Sequence, residues 1–444
     1  MNIAAFLTDS RKMTYILGGF IALTVFIAII FIISQSGGGG GGQPAELLVW
    51  GVFDDFAVFD DAITAFEKAN ADVNVTYEMI PFADYERRLL NAQAAGEGPD
   101  VFMMHNTWLP RYADKIQPLP NRFPDTNTAL MTVRQYRDLF VDVAYADLVA
   151  GEDIYAMPLY VDTLALYYNR DMLSGAGVAT PPRLWTDFQD AVKKITLYDQ
   201  SRNITRSGVA MGTTGNINRS TDILMMLMLQ SGVRMTDDER TEATFSRSVD
   251  NQPVGATALT FYTDFANPQK EVYTWNDSQD NNIDAFTSGK TAMIINYQHQ
   301  AEMIREKAPR MDFGVAPVPQ ITSSDVRTYA NYWAFTVSKG SPSPYAAWRL
   351  AHYLTAGEGA GFYIGLAGRP SARRDYIQQQ QADPAIGVFA EQALNARSWY
   401  QVDNIALETI FADMIDAVNF GRSSVRDALE DAEAKVSVLM SSRR

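Results

Sequence analysis

The chain has 444 residues, 47% of them hydrophobic, with 37 basic against 52 acidic side chains and a formal charge of −15. That balance argues against nucleic-acid binding, which needs a basic face, and against a folded body that clings to anionic lipid. There is no cysteine and only three histidines, not closely spaced, so disulfides and a lipid-modified cysteine are excluded and no metal or other cofactor is expected.

Residues 13–33 are uncharged and almost wholly apolar. As a helix they would extend about 31 Å, enough to cross a bilayer core. Arg11 and Lys12 precede the run, and no Lys or Arg follows until Lys68. The positive-inside rule therefore places 1–12 in the cytoplasm and the remainder outside. A cleaved signal peptide is the alternative, although the run is long for one; the expectation is an uncleaved single-pass anchor in the plasma membrane. Six consecutive glycines at 37–42 make 34–45 a flexible tether with an r.m.s. reach of about 20 Å. The roughly 400 residues that follow exceed one compact core and suit two lobes.

The run 47–50, LLVW, reads as a short buried strand. Residues 56–70 have helical spacing through Phe59, Ile63 and Phe66, 73–80 alternate as a second strand, 85–95 are helical, and 100–104 form a third strand. Such alternation predicts a parallel α/β sheet. The apolar run 154–158 ends on a proline, and 163–168 is rich in strand-forming side chains. Helices are predicted over 185–195, 223–231, 256–265, 283–288, 345–354 and 411–440, the last broken at Gly421, and strands over 291–296 and 312–317.

Open α/β sheets bind ligands beyond the carboxyl ends of their strands. The candidates there are Trp50, Phe53 and Asp54 after the first strand, and Asn106 and Trp108 after the third. Tyr160 and Asp162 lie in a crossing segment, Asn296, Tyr297 and His299 follow 291–296, and Trp333 precedes a strand at 334–338. Trp275 and Arg369 complete the set. Aromatic faces match the C–H faces of a sugar ring, and Asp and Asn match hydroxyls that would cost about 1–3 kcal/mol each if buried unpaired. Each residue also has a plainer reading. A single Trp or Tyr is more often core than contact, Asp54 or Asp55 could cap a helix before Phe56, and Arg369 could cap a helix end. Met225, Met226 and Met228 read as core filler.

Several motifs recur in order along the chain. They are the stretch GEDIYAMPLYVDTLALYYNRDML at 151–173; Ala176-Gly177, Pro181-Pro182 and Trp185-Thr186-Asp187; Gly98-Pro99-Asp100-Val101; FTSGKTAM at 286–293; and Ser338-Lys339 followed by Ala346-Ala347-Trp348. Together they resemble the family 1 extracellular solute-binding proteins of ABC importers, the group that includes maltose-binding protein. The resemblance runs from about Glu46 to the C-terminus. It implies an α/β, two-lobed, type II periplasmic-binding-protein-like fold, with 46–160 plus 320–365 in lobe 1 and 161–319 plus 366–444 in lobe 2. Hinges are expected near 160, 317–319 and 361–365. It implies contacts in the segments named above and favours Asp162 as the acid. The family's M-x-x-x-G-x-W pattern is met here by Tyr297 and His299 without its glycine and tryptophan, which leaves the solute open. The implied function is a monomeric, membrane-tethered receptor that closes on a small polar solute, a sugar or oligosaccharide, and passes it to the permease of an ABC importer. A ligand sensor subunit is an alternative. A glycosidase built on Asp54 or Asp55 with Asp162 is another, although no G-x-S-x-G or H-E-x-x-H motif is present.

Overall fold

The computed structural model describes residues 44–441. The predicted membrane span at 13–33, its cytoplasmic flank and the glycine run fall outside them; among the described residues no helix is long and apolar enough to cross a membrane.

The first lobe is built on a five-stranded sheet of β1 (Ala45–Gly51), β2 (Val73–Met79), β3 (Val101–His105), β4 (Met157–Pro158) and β10 (Trp333–Val337), in the order β2-β1-β3-β10-β4. β1 pairs in parallel with β2 and β3, whereas β10 runs antiparallel to β3. Every residue of β3 and β10 is buried, which is why VFMMH and WAFTV are continuous apolar runs instead of alternating ones. The register pairs Trp333 with His105, so the start of one strand and the end of the other open at the same edge. Helix Asp60–Ala69 buries Ala62, Ile63 and Phe66 and opens with Asp60 and Asp61, acids suited to a helix N-terminus. Helix Phe82–Ala95 buries Tyr85 and Leu89 and stops at Gly96 in a left-handed conformation.

The second lobe centres on β6 (Ala165–Asn169), flanked by β7 (Met293–Asn296) and β8 (Phe313–Pro317). Both neighbours pair with it antiparallel, so the parallel sheet expected from strand–helix alternation does not extend into this lobe. Helix Ser220–Gln230 is buried almost all round, as its STDILMMLMLQ sequence requires. Helices Asn404–Asn419 and Val425–Ser441 pack nearby, and Gly421 turns between them with φ +64°.

Between the lobes lies a small sheet of β5 (Asp162–Thr163), β9 (Thr328–Asn331) and β11 (Ala396–Arg397), in the order β11-β9-β5. One hydrophobic core gathers residues from 47–161 and 330–363 with Ala372, Ile377, Ala390, Ala393 and Ala396. The other gathers residues from 164–329 and 399–440 with Phe389. The chain thus changes core at 161–164, at 329–330 and around 396–399. The second and third crossings lie beyond the prolines at 317–319 and the glycines at 361–365. The prolines are held in the second lobe, where Gln230 Nε2 donates to the Pro319 carbonyl and Val318 is buried. The glycines belong to helix Gly359–Ala367, whose Tyr363 stacks on Phe59 at 5.2 Å in the first lobe. Ala372 and Ile377 likewise pack in the first core, inside the 366–444 span expected for the second lobe.

Candidate functional site

A cleft of about 420 Å³ opens between the two cores, along the small central sheet. Its two walls differ in chemistry. The first-lobe wall is mainly aromatic, with Glu86, Arg87 and Thr107 also lining it. Trp333, at the start of β10, meets Trp108, Tyr85, Phe53, Phe82 and His105 edge-on, with ring centroids 5.0, 5.6, 5.8, 6.2 and 5.5 Å away. Edge-to-face contact is a favoured arrangement of aromatic pairs. Two devices hold this wall. Tyr85 donates its hydroxyl to the Met103 carbonyl at 2.7 Å, fixing helix Phe82–Ala95 to the sheet. Tyr77 donates to the Asp54 carbonyl at 2.5 Å, fixing the loop that carries Phe53. The second bond needs Gly51, because a Cβ there would lie 1.9 Å from the Tyr77 hydroxyl. His105 is held at both ring nitrogens, by Thr107 Oγ1 at 2.8 Å and Asn331 Oδ1 at 3.3 Å. Burial pulls its pKa down to about 4, which keeps the ring neutral at pH 7.

The second-lobe wall is polar. Asp222, Arg219, His299 and Glu408 line it. Asp222 Oδ2 accepts from the Tyr297 hydroxyl at 2.7 Å, and burial pushes this carboxyl up against the pull of Arg219. Arg219 precedes helix Ser220–Gln230 in a left-handed conformation, φ +65°. For a residue with a Cβ this costs about 1–2 kcal/mol, and such outliers cluster at functional sites. Its guanidinium faces Asp222, Tyr297, Glu408 and Asp162, which hold its charge more firmly than burial weakens it. The cleft is also lined by Tyr160, Tyr329, Gln401 and Met225. Met225 packs in the second core as its sequence suggests, and its sulfur accepts from the Tyr329 hydroxyl at 3.3 Å and from Trp399 Nε1 at 3.1 Å.

Of the candidates, Phe53, Trp108, Tyr160, Asp162, His299, Trp333 and Arg369 line the cleft. Asp162 does so with its acceptor capacity already engaged. Oδ1 accepts from the backbone of Thr163 and Gln298, at 2.8 and 2.9 Å. Oδ2 takes the backbone N–H of His299 at 3.3 Å and lies 3.1 Å from its Nδ1. With four partners around one carboxylate, Asp162 pins helix Gln300–Lys307 to the crossing strand, and His299 is the group it presents to the cleft. Arg369 bonds Asp54 Oδ1 through Nε and Nη2, at 3.2 and 2.9 Å, and lies 4.7 Å over the Tyr160 ring. Asp54 Oδ2 in turn accepts from Tyr363, so Asp54 stands behind Arg369; the cap before Phe56 is Asp55, which accepts from Ala57 N.

The remaining candidates lie behind the walls. Trp50 is buried with Arg88 over its ring at 5.3 Å. Asn106 donates to Asp147 at 2.9 Å. Asn296 is buried and accepts from the Tyr297 backbone at 2.9 Å. Tyr297 is buried beneath Asp222. Trp275 is fully buried and donates to Asn216 at 2.9 Å. Arg219, Asp222 and Glu408 were not among the candidates. The available signal was the polar run 213–222, TTGNINRSTD, just before an all-apolar helix, which marks a helix entrance at a surface. Among the described residues no group of three or more His, Asp or Glu could hold a metal ion.

Comparison with known proteins agrees with this architecture. The family model for bacterial extracellular solute-binding proteins matches residues 50–360. A protein of Brucella abortus named as a binding protein is 20% identical over 399 residues, 86% of this chain and 89% of that one. The maltotriose-binding protein of Pyrococcus abyssi is 21% identical over 307 residues, 68% and 60% of the two chains. The crystal structure of the cyclic alpha-maltosyl-1,6-maltose binding protein from Arthrobacter globiformis superimposes with a TM-score of 0.73 at 20% identity, covering 90% of this chain and all of that one. The fold is therefore the mixed α/β, two-lobed fold of solute-binding proteins. Since the family match takes in most of the chain, this protein belongs to the bacterial extracellular solute-binding proteins, which bind their solutes and do not transform them.

Proposed function

We propose that the chain is a monomeric, membrane-tethered extracytoplasmic receptor that captures a sugar or oligosaccharide by lobe closure and hands it to the permease of an ABC importer. The observation that carries this reading is the pairing of an aromatic wall with a polar wall across one cleft. A ring sugar presents C–H faces and a hydroxyl rim, and these two walls complement the two surfaces. Phe53, Trp108, Tyr160 and Trp333 would cover ring faces. His299, Arg219, Asp222 and Glu408 would exchange hydrogen bonds with hydroxyls, with Arg369 at the lobe 1 rim. Asp54, Asp162, Asn106, Asn296 and Tyr297 would hold these groups in place, and Trp50 and Trp275 would pack behind them. The maltotriose and cyclic maltosyl-maltose named for two similar proteins are of this chemical class. The small β11-β9-β5 sheet would flex as the lobes close.

A thermal-shift screen of the full chain against neutral sugars, sugar acids, polyols and phosphate esters tests the reading. A ligand at 100 times its dissociation constant should stabilise the fold by about 2.7 kcal/mol. If only phosphate esters or non-carbohydrates raise the melting temperature, the sugar assignment is wrong. External protease that leaves the folded body intact in whole cells, yet digests it after lysis, would remove the extracytoplasmic placement.

A further inference from the structure

We infer that Asn216 is the positioning residue of the polar wall: it clamps loop 213–219 so that Arg219 is held in its left-handed conformation beside the cleft. The effect on solute binding rests on the carbohydrate reading above; the clamp itself does not. A residue with a Cβ stays in a left-handed conformation only where its surroundings over-determine it. Arg219 has φ +65° and ψ +28°, and of residues 213–219 it alone lines the cleft. The acids that face its guanidinium act at the far end of a long, flexible side chain and do not set its backbone angles. The chain leading to Arg219 must therefore be held from elsewhere.

Asn216, three residues earlier, does this with a fully engaged side chain. Its Oδ1 accepts from Trp275 Nε1 at 2.9 Å and from Thr213 Oγ1 at 2.6 Å. Its Nδ2 donates to the carbonyls of Asn276 and Gln279, at 3.0 and 3.1 Å. An asparagine amide offers two donors and two acceptor sites, and here all four are used. The main chain repeats the grip on either side. The Asn216 carbonyl accepts from Asn282 N at 2.8 Å, and Asn218 N donates to Asn282 Oδ1 at 3.1 Å. Both anchors belong to the packed lobe: Trp275 and Asn282 are fully buried, and Asn282 opens helix Asn282–Thr287. The start of the loop is tied as well. The Tyr262 hydroxyl donates to the Thr213 carbonyl at 2.8 Å, and Thr214 Oγ1 donates to Asp416 Oδ1 at 2.6 Å. The loop is thus pinned at 213, 214, 216 and 218, and Arg219 is the next residue.

Two measurements on the full chain, in a detergent without a sugar headgroup, test the inference. The first needs no solute. Amide hydrogen exchange, read by mass spectrometry, is followed over 213–223 and over β6 at the centre of the same lobe. In Asn216→Ala, exchange over 213–223 should rise at least about tenfold while β6 stays as in the wild type. Trp275→Phe keeps an aromatic ring and removes one donor to Asn216. It should give a local rise of about fivefold, and it decides the matter where Asn216→Ala does not fold. Unchanged exchange means no clamp, and a rise shared equally by β6 means a general support of the lobe; either result overturns the inference. The second measurement is calorimetric titration with glucose, mannose, galactose, xylose and their di- and trisaccharides. Asn216→Ala should weaken the sugar that the wild type binds by about tenfold, and should weaken it no further in an Arg219→Ala background. Additive losses overturn the action of Asn216 through Arg219. If no sugar in the panel binds, the carbohydrate reading falls, and the exchange measurement still decides the clamp.

Discussion

The two sides of the cleft come from different kinds of structure. The first-lobe wall grows out of sheet ends: Phe53 follows β1, Trp108 follows β3 and Trp333 opens β10. Strands of a close-packed sheet are rigid, and rings wedged at their ends make a fixed apolar surface. The second-lobe wall is made at helix entrances, with Arg219 and Asp222 at one, His299 at another, and Glu408 in the second turn of helix Asn404–Asn419. Helix entrances expose backbone donors and tolerate polar side chains. On the proposed function, shape is read by one lobe and hydroxyl pattern by the other. Closure brings the two readings together, which makes lobe closure itself the selective step.

The largest effect should come from removing the centre of the aromatic wall. Trp333→Ala would empty a buried site touched by five rings and should cost about 3–5 kcal/mol, with loss of ligand binding. Urea unfolding and titration measure the two together. A stable variant with wild-type affinity would show that the aromatic wall is merely core. Next is Asp162→Ala. It strands the N–H groups of buried Thr163 and half-buried Gln298, so a stability loss of about 1–3 kcal/mol should accompany weaker binding. Affinity lost with no change in the unfolding midpoint would make Asp162 a direct contact and not a support.

A smaller pair of effects sharpens the contrast. Arg219→Ala and Arg219→Gly both remove the cation that faces buried Asp222, so both should lower stability and weaken binding about tenfold or more. Arg219→Gly also relieves the left-handed backbone strain at φ +65° and should be the more stable of the two by up to about 1 kcal/mol. If both variants bind like wild type, the polar wall does not use Arg219.

The same contrast governs how much could be read from the sequence. Strand ends are legible because short apolar runs bounded by turns announce them, and every open sheet puts its site there. Phe53, Trp108 and Trp333 follow from that rule. Which side of a strand end faces the cleft does not follow, and so Trp50 and Asn106 stand among the candidates although they point behind the wall. The polar wall was hidden for a different reason. Arg219 and Glu408 lie 189 positions apart on helices whose sequence signal is burial, and only the tertiary packing joins them. Local composition marks 317–319 and 361–365 as joints, yet of the three expected places only the one near 160 coincides with a change of core; the other changes fall at 329–330 and around 396–399.

The smallest expected effect is a near-cancellation with pH. Burial holds His105 down to about 4, so its contribution to stability is present above pH 6.5 and is lost as pH falls toward 4. Asp147 has the opposite sign. Burial raises its carboxyl to about 6, against hydrogen bonds from Ser398, Asn106 and Tyr332 and the charge of Arg240. Its folded form holds the proton more tightly, so its contribution is full below pH 3.8 and is lost as pH rises through 6. The two windows overlap between pH 4 and 6, so the two contributions oppose each other in the wild type. Single variants uncover each slope. In His105→Gln, stability should fall as pH rises from 4 to 6; in Asp147→Asn it should fall as pH drops from 6.5 to 4. Urea midpoints at half-unit intervals decide the matter. Flat profiles in both variants would mean that neither group is held as far from its ordinary pKa as its burial requires, and the aromatic wall would then carry an ionisable imidazole instead of a neutral ring.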